Sequence, residues 1–319
     1  MENHELIAQG PPKTIDNTIR STFKQCPRKL YWFLRRFDYS PELKPAYFVW
    51  GAAWQEILTS WYNIDEQTVP GTHPHMMRAA HALAAGWTYW DKEGCTESAS
   101  NTRKLFELKW EFYIREYPQE MWTFTKESME VGWQFPLRGT DYFLGGSLDG
   151  RVYWPSMGIL FLENKTSGSY LGDNAIASWN YSPQVKGYNW YGHQTLGDEF
   201  YGVLMNLMTK QHPGPRSQWT TPLFARSIVK LEPWHIDEFE TDVRYDIELL
   251  ERAYEDWHWP MTTDFNNCTG GAGKAPCLFR HLCLSDQHFT EANPLQYHGI
   301  VELETAWEPW KRESSQETE

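Results

Sequence analysis

Two short segments carry acidic and basic side chains in a spacing that suits metal-assisted hydrolysis. Segment 145–152 contains Asp149 among β-forming residues, and segment 162–166 contains Glu163 and Lys165 two positions apart. Residues two apart on a strand face the same way, so Glu163 and Lys165 share a face, and Asp149 on the preceding strand can come opposite them. Carboxylates at the ends of apolar strands cost solvation unless a partner uses them, which favours a divalent cation.

The two carboxylates and the lysine would each have a defined role around such a cation. Mg²⁺ takes oxygen ligands, typically one or two carboxylates together with water and substrate phosphate. The lysine can then lower the pKa of an attacking water or stabilise charge on a phosphate. The alternative is an exposed Glu163–Lys165 pair with an unrelated Asp149 in a turn, because a Glu-x-Lys sequence alone is common.

Four segments, one upstream of Asp149 and three from residue 146 onward, strengthen the hydrolytic interpretation. Segment 146–149 reads Gly-Ser-Leu-Asp, and segment 163–165 reads Glu-Asn-Lys. Segment 184–188 reads Gln-Val-Lys-Gly-Tyr, and segment 51–56 reads Gly-Ala-Ala-Trp-Gln-Glu. They resemble the Gly-x-(Ile/Leu)-Asp, (Asp/Glu)-x-Lys, Gln-x-x-x-Tyr and Gly-x-x-x-His motifs of the RecB-like branch of the PD-(D/E)XK nuclease superfamily. The order and spacing of four motifs are far more specific than any one motif.

The resemblance implies a role for each residue around one metal site. Asp149 and Glu163 are implied to hold Mg²⁺ or Mn²⁺, and Lys165 to orient or activate the attacking water. The backbone carbonyl of Asn164 is implied as a further ligand. Gln55 stands where the family usually has a metal-binding His, and its carbonyl oxygen can also ligate Mg²⁺.

Two further sets of residues are expected to contact DNA. The resemblance implies that Gln184 and Tyr188 lie near the scissile phosphate; the alternative is a helix-surface pair at i, i+4 spacing, with Tyr188 half-buried. The net charge of −13 argues against a non-specific nucleic-acid coat. Residues 20–36 nevertheless include six basic side chains and no acid, so Lys24 and Arg28 are predicted to form a local basic face for the phosphate backbone.

Four cysteines flank the motif region, with Cys26 before it and Cys268, Cys277 and Cys283 after it. In AddB-like and CRISPR-associated RecB-like nucleases this one-plus-three arrangement holds a 4Fe–4S cluster, so the resemblance implies such a cluster here. The Cys-x5-Cys end fits, whereas eight residues separate Cys268 from Cys277 where relatives often have two. Zinc in a four-Cys site is the alternative. Cys95 is predicted to be a free thiol.

The resemblance implies a metal-dependent DNA nuclease, an exonuclease rather than an endonuclease, acting on single strands or duplex ends. The sequence has no Gly-x-x-x-x-Gly-Lys-Ser/Thr helicase signature, so unwinding is expected from a helicase or recombination partner. A nuclease of this size resembles those of phage or mobile elements that act in DNA recombination and repair. The alternative is a catalytically inactive nucleic-acid-binding module with a structural Fe–S or Zn site, for which Gln55 is the support.

Apolar periodicity gives the elements that must position these residues. Helices are predicted over 21–37, 47–62, 76–90, 102–117, 183–191 and 233–257. Strands are predicted over 129–137, 143–154, 158–165, 200–208 and 224–231. Glu130 falls on the first of these strands and is taken as an ordinary edge-strand residue, although some relatives have a third acid there. Together with the resemblance, the pattern predicts an α/β fold with a restriction-endonuclease-like core, a central mixed β-sheet flanked by helices.

Length and composition predict one elaborated domain in the 319 residues. We expect a loose lead-in over 1–18, a nuclease domain over 19–290 and an acidic tail over 291–319. The domain is predicted to comprise a helical N-terminal cap (19–125), a nuclease core (126–260) and a Cys-rich segment (261–290). A polar start without an apolar segment and the lack of any run of about 18 apolar residues predict a cytoplasmic chain, in the host cytoplasm if phage-encoded, with no membrane partner.

The aromatic content excludes disorder as the main state. Hydrophobic residues make up 41% of the chain, which includes 18 tryptophans, and most of these are expected in the core. Some can stack on unpaired bases. A Trp-rich acidic chain also suits a glycan binder, but that interpretation leaves Asp149, Glu163 and Lys165 and the split cysteines unexplained.

Overall fold

The structure is a computed structural model that describes residues 10–64, 73–94, 97, 101–125, 129–211, 222–270 and 275–311. Its helices, in chain order, are α1 (Asn17–Gln25), α2 (Pro27–Leu34), α3 (Ala46–Asn63), α4 (Pro74–Lys92), α5 (Arg103–Glu116), α6 (Asp173–Ala177), α7 (Pro183–Leu196), α8 (Pro233–Glu255), α9 (Phe265–Thr269) and α10 (Arg280–Cys283). Its strands are β1 (Thr14–Ile15), β2 (Phe37–Tyr39), β3 (Thr123–Phe124), β4 (Val131–Pro136), β5 (Phe143–Leu148), β6 (Gly150–Trp154), β7 (Gly158–Ser167), β8 (Phe200–Thr209), β9 (Phe224–Val229) and β10 (Ile300–Glu302). The mixed α/β class is confirmed.

By compactness the chain divides into two units. Unit 1 contains the described residues of Met1–Leu43, Gly132–Gly146 and Pro233–Arg312. Unit 2 contains those of Lys44–Val131 and Ser147–Glu232. Neither predicted internal boundary, after 125 or after 260, coincides with a boundary of these units.

The five-stranded sheet of unit 2 contains Glu163 and Lys165. Its strand order is β3-β6-β7-β8-β9, with β7 parallel to β8 and the other pairs antiparallel. Helix α7 connects the two parallel strands, as a crossover between parallel strands requires. Almost all of β8 is buried, which is typical of a parallel strand covered on both faces.

The helical part of unit 2 packs a tryptophan-rich core. Buried tryptophans from α3, α4 and α5 form one cluster: Trp50, Trp54, Trp61, Trp90 and Trp110. Met208 of β8 and Phe224 of β9 join the same cluster. The expectation that tryptophans supply core is confirmed for this set.

The predicted helix over 21–37 is wrong as a single element. At Cys26 the backbone is extended, with φ −166° and ψ 105°, so α1 ends there and α2 begins at Pro27. Proline disfavours a helical conformation in the residue before it and lacks the N–H that an interior helix position donates. The break separates the two helices at the first cysteine of the predicted cluster.

The predicted strand over 143–154 is also two elements. Asp149 lies in a bend between β5 and β6. Strand β5 belongs to the three-stranded sheet β1-β5-β4, whereas β6 belongs to the sheet of unit 2. The single strand predicted over 143–154 is therefore wrong, because the chain changes sheet at Asp149.

In unit 1 the described residues near both ends of the sequence are more ordered than predicted. The loose lead-in over 1–18 is wrong at its end, because the buried strand β1 pairs in parallel with β5 and Asp16 caps α1 by accepting from the Ile19 N–H. The acidic tail over 291–319 is wrong at its start, because β10 pairs with β2 and Arg36 forms an ion pair with Glu302. Residues 1–9 and 312–319 lie outside the described part.

Candidate functional site

The carboxylate–lysine site of unit 2 forms just before β6 begins, beside the part of β7 that extends past β6. The ladder between these strands ends at the pair Gly150 and Leu162, so Asp149 comes beside the next residues of β7. Its Oδ2 accepts a 2.7 Å hydrogen bond from the backbone N–H of Asn164. The Asp149 side chain thus replaces a neighbouring strand at this point of β7.

Glu163 and Lys165 lie on one face of β7, as their two-residue spacing predicts. Glu163 is 1% exposed, and the Lys165 ammonium, on a side chain that is 32% exposed, lies against its Oε1. Neither Glu163 oxygen accepts a well-directed hydrogen bond from the described residues. The carboxylate is therefore buried with a cation beside it and with unused acceptor capacity.

The electrostatics of the site disfavour two bare carboxylates. Burial raises the pKa of Asp149 well above its usual 3.8, and the charges of Glu163 and Glu130 raise it further. The Lys165 charge and the Asn164 N–H act in the opposite direction. Burial lowers the pKa of Lys165, but Glu163 and Asp149 outweigh it and leave that pKa raised, so the ammonium stays charged.

The residues fit a magnesium-type donor set. A residue's N–H and C=O project toward the same strand edge, so the Asn164 carbonyl points to the edge at which its N–H meets Asp149. Two carboxylates and one carbonyl, completed by water, suit Mg²⁺. In the described part of the chain, no group of three or more His, Cys, Asp or Glu side chains has the arrangement of a metal site; a Mg²⁺ site with two carboxylates does not require one.

A third acid belongs to this site, and the sequence interpretation missed it. Glu130 is not an ordinary edge-strand residue, because it precedes β4 and has a φ of 54°, a conformation that is uncommon outside glycine. Its N–H bonds to the Asp149 carbonyl at 3.4 Å. Its carboxylate accepts from the Gln55 amide and from the Thr59 hydroxyl at 3.3 Å.

The position of Glu130 changes what Gln55 does. The Gln55 side-chain NH₂ donates to a carboxylate, which leaves its carbonyl oxygen as the atom that could ligate a cation. Thr59 is four residues further along α3 and therefore on the same helix face. This i, i+4 relation to Gln55 is the signal in the sequence that could have identified Thr59.

Tyr188 reaches the site from α7, but it is buried rather than half-buried. It is 4% exposed, and its hydroxyl donates to the Ser147 carbonyl at 2.6 Å and accepts from the Gln184 amide at 2.7 Å. Burial raises the pKa of Tyr188 well above 10, and the charges of Glu163 and Asp149 raise it further. Tyr188 therefore holds the backbone of Ser147, two residues before Asp149, by a hydrogen bond. Gln184 is the more exposed residue of the pair.

With a chelator present, Asp149→Asn will be more stable than the wild type at neutral pH. Because the folded-state pKa of Asp149 is raised above 3.8, its contribution to stability is greatest below that value and is lost as pH rises through the folded-state pKa. Removing the charge is therefore expected to raise the free energy of unfolding at neutral pH. Urea unfolding across about pH 4–8 measures this, with the exposed Asp198→Asn as the control; lower stability of Asp149→Asn throughout would contradict it.

The four predicted cluster cysteines lie around one cleft in unit 1. Cys26, Cys268, Cys277 and Cys283 all line it, and all four are free thiols. The Cys277 N–H also bonds to the Cys268 carbonyl at 3.0 Å. Cys95 lies outside the described residues.

The thiols lie close enough to change one another's pKa, although they are not arranged around a common centre as metal ligands are. Burial raises the pKa of Cys283 to about 11, and the other three cysteines add to that rise. Burial is also the largest cause of the raised pKa of Cys277. The described side chains include no ready-made metal cluster, yet four thiols on one cleft are the donor set that a four-thiolate centre requires.

The basic side chains over residues 20–36 do not all lie at the surface of unit 1. Arg20 is 5% exposed and, together with Lys24, forms an ion pair with Asp246 of α8 at 2.7 and 2.9 Å. Arg28 donates to the Trp259 carbonyl and lies 4.3 Å from the centre of the Phe289 ring. The charge pattern predicted a DNA surface, whereas these side chains are largely engaged within unit 1; DNA contact by Lys24 and Arg28 stays a prediction.

Comparisons with known proteins give no family for this chain. No family model matches the sequence, and no curated protein matches it. The chain is similar to the solved structure entitled "Crystal structure of SSO0001", with a TM-score of 0.31 and 12% identity, over 77% of this chain and 84% of that chain. No helix within the described residues has the length and apolar character needed to cross a bilayer.

Proposed function

We propose that the protein is a metal-dependent DNA nuclease of the RecB-like PD-(D/E)XK type, with a restriction-endonuclease-like core in unit 2. The observation that supports it is the meeting of Asp149, Glu163 and Lys165 around the Asn164 peptide. A buried carboxylate with unused acceptor capacity is costly unless a ligand uses it. We further propose exonuclease action on single strands or duplex ends, with a helicase or recombination partner.

The chain's own side chains divide the work of phosphodiester hydrolysis. A bound divalent cation would act as a Lewis acid on the phosphate. Asp149 and Glu163 would supply its negative ligands, and the Asn164 N–H keeps Asp149 in place. Lys165 combines a charged ammonium with partial exposure, so it can orient a water and stabilise charge that develops on phosphate oxygens.

The four cysteines of unit 1 are proposed to hold a structural 4Fe–4S cluster. The cleft that they line also receives Gln25 and Asn267, whose side chains bond to each other at 2.9 Å. A metal centre there would link α1 and α2 to the C-terminal segment. Zinc is the competing occupant, since four thiolates suit either metal.

The decisive experiment is a cleavage assay with purified protein. Single- and double-stranded DNA labelled at the 5′ or the 3′ end is incubated with Mg²⁺, with Mn²⁺ or with a chelator. Metal-dependent loss of label is expected, and the labelled end that is lost first gives the polarity. Absence of metal-dependent cleavage on every substrate would overturn the proposal.

A catalytically inactive nucleic-acid-binding module is the second candidate. The observation that favours it is the Gln55 amide donating to Glu130, because a neutral amide stands where the family usually has a metal-binding His. DNA binding, measured by fluorescence anisotropy, together with no cleavage in the assay above would support this candidate.

The DNA affinity of Lys24→Gln will depend less steeply on salt than that of the wild type. The Lys24 side chain is 54% exposed despite its ion pair with Asp246, so it can reach a phosphate. Loss of one phosphate contact lowers the slope of log K against log salt by about 0.7–0.9. Fluorescence anisotropy with labelled DNA measures the slope, and exposed Lys104→Gln in unit 2 is the control. An unchanged slope for Lys24→Gln would place the DNA-binding surface elsewhere.

A further inference from the structure

A row of polar side chains crosses three neighbouring strands of the unit 2 sheet directly behind the carboxylate site. Asn164 of β7, Asn206 of β8 and Arg226 of β9 are paired in register. Asn164 and Asn206 are 9% and 3% exposed. Apolar residues would pack at such positions without needing hydrogen bonds, so a polar row in the middle of a sheet needs a reason.

The amide of Asn206 is held in one orientation. Its Nδ2 donates to the Asn164 side-chain oxygen at 2.8 Å and to the Tyr113 hydroxyl at 2.9 Å. Its oxygen accepts from Arg226 Nε at 3.3 Å. Donors on one side and an acceptor on the other leave a single arrangement that satisfies all three contacts.

Arg226 is itself fixed at the far end of the row. Its guanidinium donates to both oxygens of Glu120 at 2.7 and 2.8 Å. It also lies 3.5 Å from the centre of the Tyr117 ring and 4.2 Å from that of Trp122. A fork-shaped ion pair between aromatic rings is rigid, so Arg226 offers Asn206 a fixed donor.

The other end of the row lies where β7 needs support. Beyond Leu162 the strand has lost β6 as a ladder partner. On that edge the Asn164 backbone meets only a side chain, Asp149 Oδ2, among the hydrogen bonds of the described residues. The Asn164 side chain, held by Asn206, is the second constraint on the same residue.

We propose that Asn206 and Arg226 are positioning residues for the candidate metal site. They fix Asn164 so that its N–H remains on Asp149 and its carbonyl stays at the strand edge where it would help to hold a cation. For its catalytic meaning the inference rests on the proposed nuclease function, whereas the positioning of Asn164 does not depend on it. Partners that orient metal ligands from behind typically change metal affinity 10–100-fold when they are removed.

The test compares two buried asparagines in unit 2. Asn206→Leu removes the contact to Asn164, whereas Asn189→Leu removes an equally buried amide that donates within α7 to the Val185 carbonyl at 3.0 Å. In metal-free protein, we expect amide hydrogen exchange at Asn164 to be at least about tenfold faster in Asn206→Leu and unchanged in Asn189→Leu. We expect Mn²⁺ affinity, measured by calorimetry, to fall about 10–100-fold in Asn206→Leu only.

The two readouts separate the inference from the nuclease proposal. If the wild type binds no Mn²⁺, the nuclease proposal fails, and amide exchange still decides the positioning. If Asn206→Leu leaves both exchange and affinity at wild-type values, the positioning role is overturned. If Asn206→Leu does not fold, Arg226→Lys takes its place, because it keeps the charge and loses the fork; faster exchange at Asn164 supports the inference and an unchanged rate overturns it.

Discussion

Replacing Lys165 by alanine will abolish DNA cleavage while leaving metal binding and DNA binding largely intact. The ammonium is the cationic group against Glu163, and it is partly exposed, so it can face both the metal site and a substrate. A positioned charge or proton-transfer group of this kind contributes about 10²–10⁴-fold to rate. Single-turnover cleavage of end-labelled DNA with saturating Mn²⁺ measures the loss.

The matched control for this change is Lys104→Ala, which removes an exposed lysine from α5 in the same unit. It should cleave DNA at the wild-type rate. Asp149→Ala, in contrast, should lose cleavage and also bind Mn²⁺ more weakly, since it removes a proposed metal ligand rather than the group proposed to act on water. Cleavage by Lys165→Ala at the wild-type rate would remove that residue from the mechanism.

Local spacing is the reason that the centre of this site could be predicted from the sequence. Glu163 and Lys165 are two apart on one strand, so the period of the strand alone puts them on one face. Asp149 precedes a short antiparallel pair, β6 and β7, whose turn fixes the register that brings it beside Asn164. These placements depend on only a few neighbouring residues, so they do not depend on how distant segments of the chain fold.

Contacts that depend on distant elements could not be predicted in this way. Glu130 joins the site because the chain leaves β3, adopts a positive φ and then meets α3. Asn206 and Arg226 join it because β8 and β9 happen to be in register with β7. A single sequence does not specify which distant strand will lie opposite which, so these residues carry no local signal.

The charge pattern of residues 20–36 overstated the basic surface that is free to bind a ligand, again because a distant segment contributes partners. Residues 20–36 are basic in sequence, but Asp246 lies more than 200 positions away in α8 and takes up two of their charges. A run of basic residues indicates that negatively charged partners are needed. It does not indicate whether those partners belong to a ligand or to acidic side chains of the same protein. The break of the first helix, in contrast, could have been read from Pro27, because the effect of proline on its neighbour is local.

The cysteine cleft joins segments from both ends of the chain within unit 1. Independently of any metal, the Arg28 backbone N–H donates to the Pro260 carbonyl. The Arg28 side chain donates to the Trp259 carbonyl. These bonds hold α2 against the C-terminal segment and keep Cys26 near Cys277 and Cys283. Because burial raises the pKa of Cys283 to about 11, its thiol is protonated at neutral pH, and metal uptake must release protons.

Replacing Cys283 by serine will remove the proposed metal centre and destabilise unit 1. Protein purified without oxygen should be brown and contain about four irons per chain, whereas Cys283→Ser, like serine at Cys26, Cys268 or Cys277, should be colourless. A centre that joins Cys26 to Cys268 closes a very long loop, so its loss should cost about 4–5 kcal/mol and lower the melting temperature by about 10 °C. Metal analysis measures the iron content and calorimetry the melting temperature, and Cys95→Ser is the control that should change neither.

Two results would contradict the cluster. If the wild type is colourless and contains stoichiometric zinc, the four cysteines hold zinc instead of iron. If the wild type contains no metal and is only as stable as Cys283→Ser, the four cysteines form no metal centre.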